Sequence, residues 1–446
     1  MARRLGPLLL LLCSAISIWW GFTVGRTAPG GNGDFKAIYY GSRTLIQHHN
    51  PYDAGEVEGV YRAEVAEHNS LPGVFSRYRR LNLTLYVNLP STLLIVAPFA
   101  LLPLGIAQGL WMILTAVAFT LAAFLMWEIG AKYAPILSTC LVGLLLANCQ
   151  VLFATGNTAG IVVSLCVIAA WCFLRERYVP AGISCMAVSL AIKPHDAGLV
   201  WLFFLLAGVR YRTRALQTLA VTAVLVLSAD LWVSHVAPHW IHDWRSNMIT
   251  ISGPGGLNDP RPASVEGSTA DGVISLQAVF SVFSDDARIY NLASYLVCGV
   301  LLIAWTITTL RSHPAQDKAW LALAAVVPLT VLVTYHRVYD AKLLLLTVPA
   351  CALLWAGGGR LGWIAVGFSA VGILLNGDIP LVILGELTEK LHLSVATLPG
   401  QILTVVLARP NQEILLAMSI FYLWVYVRRA APDKGRRDDS QVAESL

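Results

Sequence analysis

Residues 106–127 read IAQGLWMILTAVAFTLAAFLMW, a run without a charged side chain. At 1.5 Å of rise per residue such a run makes a helix about 33 Å long, enough to cross the roughly 30 Å of hydrocarbon in a bilayer. It lacks the alternation of a membrane barrel strand and therefore reads as a transmembrane helix. Comparable stretches lie at 6–25, 134–154, 158–174, 179–192, 196–209, 214–236, 291–310, 319–334, 341–356, 361–376 and 413–428. Together they predict an all-α polytopic membrane protein with about twelve spans. The stretches 179–192 and 196–209 are short and meet at Lys193-Pro194-His195-Asp196. One continuous span there would hold a proline and three ionisable groups at mid-membrane, so two helices are expected to break at that motif.

Composition agrees. Of 446 residues, 57% are apolar and 13% charged, where an average soluble domain has about 25% charged. The mean hydropathy is +0.65. A soluble globule, a disordered chain and a disulfide-stapled secreted fold are excluded. The net charge of +5 is modest and no basic run is interleaved with aromatics, so nucleic acid is not an expected partner. The cysteines at 13, 140, 149, 166, 172, 185, 298 and 351 all fall in apolar stretches and form no CxxC. They read as small buried side chains, not as a disulfide framework or a metal site.

Positive charge orients the chain. The segment 84–104 carries Pro90, Pro98 and Pro103. If it does not cross, Lys132, Arg175, Arg177, Arg210, Arg212, Arg214, Arg311, Lys318, Arg360 and the tail from Arg428 share the cytoplasmic side. It is therefore read as a re-entrant or interfacial helix. The first span lacks a cleavage site, with Trp19 and Trp20 where one would be needed, and reads as an anchor with a cytoplasmic N-terminus. The opposite face receives 26–83, Thr155-Gly156-Asn157, 193–196, 237–290, 335–340 and 377–412. Residues 1–429 form one membrane domain, with 26–83 and 237–290 as long external loops, and 430–446 a charged cytoplasmic tail expected to be disordered.

The polar motifs gather on that external face. Gly30-Gly31-Asn32-Gly33 precedes Asp34, which is expected near the N-terminus of a short helix continuing through Tyr39 and Tyr40. As a lone residue, Asp34 would only cap that helix. Lys193, Arg337 and Lys342 are cations on the side that short loops normally leave free of them. Such cations meet a phosphate, a carboxylate or an acidic lipid; an internal pair of Lys193 with Asp340 is the plainer alternative. Asn157 follows Gly156 at the start of a span, where free N–H groups suit an anion or sugar hydroxyl, or simple capping. Arg77-Tyr78-Arg79-Arg80 suits lipid headgroups, a phosphate or solvent. Asp285-Asp286 reads as solvated. No HExxH, Walker loop, GxSxG or Cys/His zinc spacing occurs, which leaves protease, ATPase and serine-hydrolase chemistry unsupported.

Asp34, Phe35, Tyr39 and Tyr40, followed by Asn50-Pro51-Tyr52-Asp53, resemble glycosyltransferase family 87, the polyprenol-phosphate-mannose-dependent α-1,2-mannosyltransferase-like proteins of GT-C fold. Gly156-Asn157, Lys193-Pro194 and His336 to Asp340 follow in the family's order, so the resemblance spans about residues 30–345. It implies an inverting membrane glycosyltransferase, in a bacterial plasma membrane, with its site outside the cytoplasm. The implied partners are a polyprenyl-phosphate-linked sugar donor, a glycolipid, glycan or other hydroxyl acceptor, and membrane lipids. Asp34 matches the catalytic acidic residue and His336 a histidine of the late membrane-edge motif. Lys193 and Arg337 are expected to bind the lipid phosphate. His336, Asn157 and Asp340 orient sugar or phosphate, and Tyr39 and Tyr40 join the substrate-binding candidates. No cofactor is expected, since fixed cations can take a metal's place. The sugar is expected to be mannose or a related hexose or pentose. The alternative is a transporter or flippase of lipid-linked sugars, which would spread its charges through a central cavity and show two related halves.

Overall fold

The computed structural model describes residues 2–27, 33–68, 85–261, 273–312, 314, 316–391 and 397–430. Gly30 to Asn32, the Arg77 to Arg80 cluster and the tail 431–446 lie outside them. The segments read as spans are helical. In chain order they are α1 (Ala2–Thr27), α2 (Gly33–Ile46), α3 (Ala54–His68), α4 (Pro90–Ala100), α5 (Leu104–Gly130), α6 (Pro135–Leu146), α7 (Gln150–Thr155), α8 (Ala159–Arg175), α9 (Val179–Ile192), α10 (Pro194–Leu206), α11 (Val209–Val236), α12 (Trp240–Ser252), α13 (Leu276–Phe280), α14 (Ala287–Ser312), α15 (Gln316–Val333), α16 (Val348–Ala356), α17 (Gly359–Leu375), α18 (Asp378–Leu391), α19 (Leu398–Ala408) and α20 (Pro410–Ala430). A 3-10 helix, Asp340–Thr347, precedes α16. Strands β1 (Val273–Ile274) and β2 (His336–Arg337) pair antiparallel, Val273 opposite Arg337 and Ile274 opposite His336.

Among the described residues, five segments are long and apolar enough to cross a bilayer unaided: Leu5–Gly25, Leu104–Gly130, Pro135–Thr155, Val209–Val236 and Ala287–Ser312. Among the shorter apolar helices, α8 is almost wholly buried, whereas α19 buries only Thr404 and Val405. α15 is the central element, buried almost continuously from Ala319 to Leu332 against α20, α10 and the 3-10 helix. By contrast α1, α11 and α14 expose rows of large apolar side chains, among them Leu8, Trp19, Val224, Leu231, Val300 and Ile303. A broad apolar surface of this kind is what lipid covers. The chain is an integral membrane protein.

α4 has 11 residues, about 16 Å and half a bilayer core. Pro90 sits in its first turn, where a missing N–H costs nothing, and Pro103 stands just before α5. Its Ser91 and Thr92 hydroxyls donate to the carbonyls of Ala191 and Ile192. Those are the last carbonyls of α9, left without helical partners by the break at Pro194. The segment read as re-entrant thus braces the Lys193 turn.

The turns separate into two groups. At one end Glu176 pairs with Arg210, Arg214 donates to the Phe173 carbonyl, and the Tyr133 hydroxyl donates to Asp317 Oδ1 at 2.7 Å. This end joins residues predicted to be cytoplasmic. The other end holds the N-terminus of α2, the α7–α8 junction, the α9–α10 break and β2. The segments read as external loops contain helices among their described residues: α2, α3 and α12 pack at this end. Asn50 Nδ2 donates to Asp243 Oδ2 at 2.7 Å, and Asn247 Nδ2 donates to the Tyr52 and Tyr86 carbonyls.

Candidate functional site

Asp34 falls in the first turn of α2, where the helix dipole favours a carboxylate. Beside it, Phe35 stacks on Trp111 with ring centroids 5.5 Å apart and fixes α2 against α5. Asn157 has two tasks. Its Oδ1 accepts from the Ala159 N–H at 2.8 Å and caps α8, while its Nδ2 donates to Asp34 Oδ2 at 2.8 Å. Gly156 makes this possible: it ends α7 at φ +65°, a left-handed conformation natural to glycine. Its carbonyl accepts from Trp111 Nε1 at 3.0 Å.

Lys193 sits in the turn between α9 and α10 with its side chain only 12% exposed. Nζ donates to Asp340 Oδ1 at 2.6 Å and lies 3.5 Å from Asp196 Oδ2. It also stands 5.4 Å from the centroid of the Tyr339 ring. Asp340 accepts at both oxygens, the second from the Arg337 backbone N–H at 2.8 Å. The internal pair that the sequence offered for Lys193 is therefore present.

Arg337 differs. Its Nε donates to the Tyr335 hydroxyl and its Nη2 to the Leu257 carbonyl at 2.9 Å. Among the described residues no carboxylate lies within ion-pair distance of it. Burial opposes its charge, but the Tyr335 and Tyr339 oxygens and the Asp34 carboxylate outweigh that and raise its pKa. The guanidinium is thus a half-buried cation held by neutral groups, with Asp34 in its field.

His336 is fully buried and held from one side, its Nδ1 at 2.9 Å from the Thr334 carbonyl. Its Nε2 lies 3.1 Å from Asp196 Oδ1, yet the two are not aligned as a hydrogen bond. Burial disfavours charge on this imidazole; the Asp196 carboxylate more than offsets it and holds the pKa above the ordinary histidine value. The His195 ring meets His336 edge-on, with centroids 5.1 Å apart.

Asp34 with Asn157, Lys193 with Asp340, and His336 with Arg337 thus lie at one end of the bundle. Tyr39 and Tyr40 are not brought to this cluster. Both are buried; the Tyr39 hydroxyl donates to the Leu102 carbonyl, and Tyr40 packs edge-on against Tyr39 and Tyr61. At 100° per residue they point about 140° and 120° away from Asp34 around α2. Lys342 also leaves the group. Its Nζ donates to the Asn148 and Asn376 carbonyls and stands 3.7 Å from Asp378. His195, Asp196, Tyr335 and Tyr339 stand inside the polar motifs of the sequence, which assigned none of them a role. The three-residue spacing of Lys193 and Asp196, which puts both on one side of a helix start, was the available signal.

Comparison with known proteins bears on the whole assembly. No curated protein and no solved structure matches the chain. The model of glycosyltransferase family 87 matches residues 86–334. That range is narrower than the resemblance read from the motifs; it includes Asn157, Lys193 and Asp196, while Asp34 and Arg337 to Asp340 flank it. Covering more than half of the sequence, it establishes that this membrane protein belongs to glycosyltransferase family 87.

Proposed function

We propose that this glycosyltransferase takes its sugar from a polyprenyl-phosphate donor and passes it, with inversion, to a hydroxyl acceptor on the extracytoplasmic face of a bacterial plasma membrane. Mannose or a related hexose or pentose is the sugar, and a glycolipid or glycan the acceptor. The observation that carries the reading is the placement, at one end of the bundle, of Asp34, fixed by Asn157, together with an Arg337 guanidinium that has no carboxylate within ion-pair distance among the described residues.

A polyprenyl-phosphate sugar already carries a good leaving group. The enzyme has to take a proton from the acceptor hydroxyl and neutralise the charge growing on the departing phosphate. Asp34 is the base, held by a donor that leaves its other oxygen free for the acceptor proton. Arg337 receives the phosphate through the guanidinium positions its neutral partners leave open. Lys193, tied to Asp340 and Asp196, fixes the turn beside the site, and His336, Asn157 and Asp340 keep the geometry. The Arg337 guanidinium, held by neutral partners, supplies the charge, so the reading does not depend on a metal. A flippase would distribute such groups along a path through the bilayer; here they converge at one end of the helices, which favours transfer.

The test is Asp34→Asn in purified protein, given a radiolabelled polyprenyl-phosphate mannose and a membrane glycolipid extract. Asn can still accept from Asn157 Nδ2 but takes no proton. Transfer should fall about 10²–10⁴-fold while donor binding is kept. Near-native turnover removes Asp34 as the base, and donor translocation without transfer by the parent protein favours the flippase.

A further inference from the structure

Asp340 and Asp196 are buried together, and only one of them is satisfied. Asp340 accepts hydrogen bonds at both oxygens. Asp196, 1% exposed, accepts none at either, and His336 Nε2 beside it has no hydrogen-bond partner. A buried carboxylate in this condition calls for a positive charge. Lys193 is the nearest permanent cation, but at 3.5 Å it makes no hydrogen bond to Asp196 and it is committed to Asp340 at 2.6 Å.

We propose that His195, Asp196 and His336 form a binding site for a divalent transition ion such as Zn²⁺ or Mn²⁺. One nitrogen from each ring and one carboxylate oxygen lie within 4.8 Å of one another. The closest pair, His336 Nε2 and Asp196 Oδ1, is 3.1 Å apart. An ion about 2.1 Å from both would place the oxygen about 40° off the lone-pair axis of the nitrogen. That fits a contact which is close yet misaligned for hydrogen bonding. The Thr334 carbonyl facing Nδ1 of His336 is the usual second partner of a metal-bound imidazole: it takes the N–H and leaves Nε2 as the ligand. Two imidazoles and a carboxylate prefer a borderline transition ion to Mg²⁺ or Ca²⁺. Filling the site displaces any proton shared between His336 and Asp196. The site stands apart from the donor assignment, because ion binding is measured without any sugar substrate.

The experiment uses the full chain in nanodiscs, stripped with EDTA and titrated with Mn²⁺ under electron paramagnetic resonance. Saturable binding of a single ion per chain, with nitrogen couplings from imidazole, displaced by Zn²⁺ and not by Mg²⁺, is expected. His195→Ala and Asp196→Asn should each weaken that binding at least about tenfold. The His195 side chain is 40% exposed, so its removal spares the buried packing, and thermal unfolding of His195→Ala checks this. Absence of saturable binding, a bound ion without nitrogen couplings, or undiminished binding in a folded His195→Ala variant overturns the proposal. His336 and Asp196 would then share only a proton.

Discussion

Arg337 and Lys193 carry the same charge in different electrostatic positions, and their variants should fail differently. Arg337 has neutral partners, so Arg337→Ala removes a charge-assisted contact to donor phosphate worth about 1.5–3 kcal/mol. Donor affinity should drop about 10–100-fold, with the melting temperature little changed. Arg337→Lys should restore only part of it, because an ammonium lacks the planar fork that reaches Tyr335 and Leu257 together. Unaltered donor binding in Arg337→Ala would rule the phosphate role out. From sequence alone Lys193→Ala reads as a clean binding variant. In the folded protein Lys193 is the counter-ion of two buried carboxylates. Its loss should cost about 3–5 kcal/mol of stability, read as a lowered unfolding temperature in detergent.

Between elements, the α7–α8 junction that carries Asn157 is held from both sides. Lys342, from the 3-10 helix, ties the carbonyls ending α6 and α17 and faces Asp378, which itself accepts from the Val151 N–H at 2.7 Å. Lys342→Met keeps the bulk and strands a buried carboxylate; a loss of about 3–5 kcal/mol is expected, and a melting temperature equal to the parent's would show that the knot is dispensable. On the other side α1 lies close on α7 because residue 21 has no side chain. A Cβ at Gly21 would stand 2.6 Å from Phe153 Cβ and 2.9 Å from the Gln150 carbonyl. Small residues allow such approach between membrane helices. Gly21→Val should therefore cost about 1–3 kcal/mol and lower transfer by shifting Asn157, measured by unfolding and by turnover together.

At the scale of the molecule, the separation of the turns into two ends predicts which residues water reaches from which side. Cysteines placed at exposed Asp53 and Asp285 should both react with an impermeant maleimide in intact cells. Cysteines at exposed Arg177 and Arg360 should react only after permeabilisation, in a background where Cys140 is replaced. Labelling of Asp53 and Asp285 from different sides would break the proposed orientation. The helices could be read from the sequence because hydropathy and helical length are local properties: 106–127 became Leu104–Gly130, and 179–192 matched α9. The loops could not be read as well. α3 and α12 carry mixed, largely polar sequences whose helicity depends on what they pack against.

The sequence by itself determined the solvent of this protein, its helical segments and the break at Lys193-Pro194. Each follows from composition over a few turns, or from a proline that cannot continue a helix. It also placed the chain's polar motifs on one face through the asymmetry of Lys and Arg. Only the tertiary structure decided who meets whom. Asn157 reaches Asp34 across 123 residues and Lys193 reaches Asp340 across 147. The pairing of β2 with β1 sets where His336 and Arg337 stand. The structure also turned Tyr39 and Tyr40 into packing and left Asp196, not Asp340, without a hydrogen-bond donor among the described residues. Such assignments depend on distances between segments far apart in the chain, and no local pattern of residues encodes them.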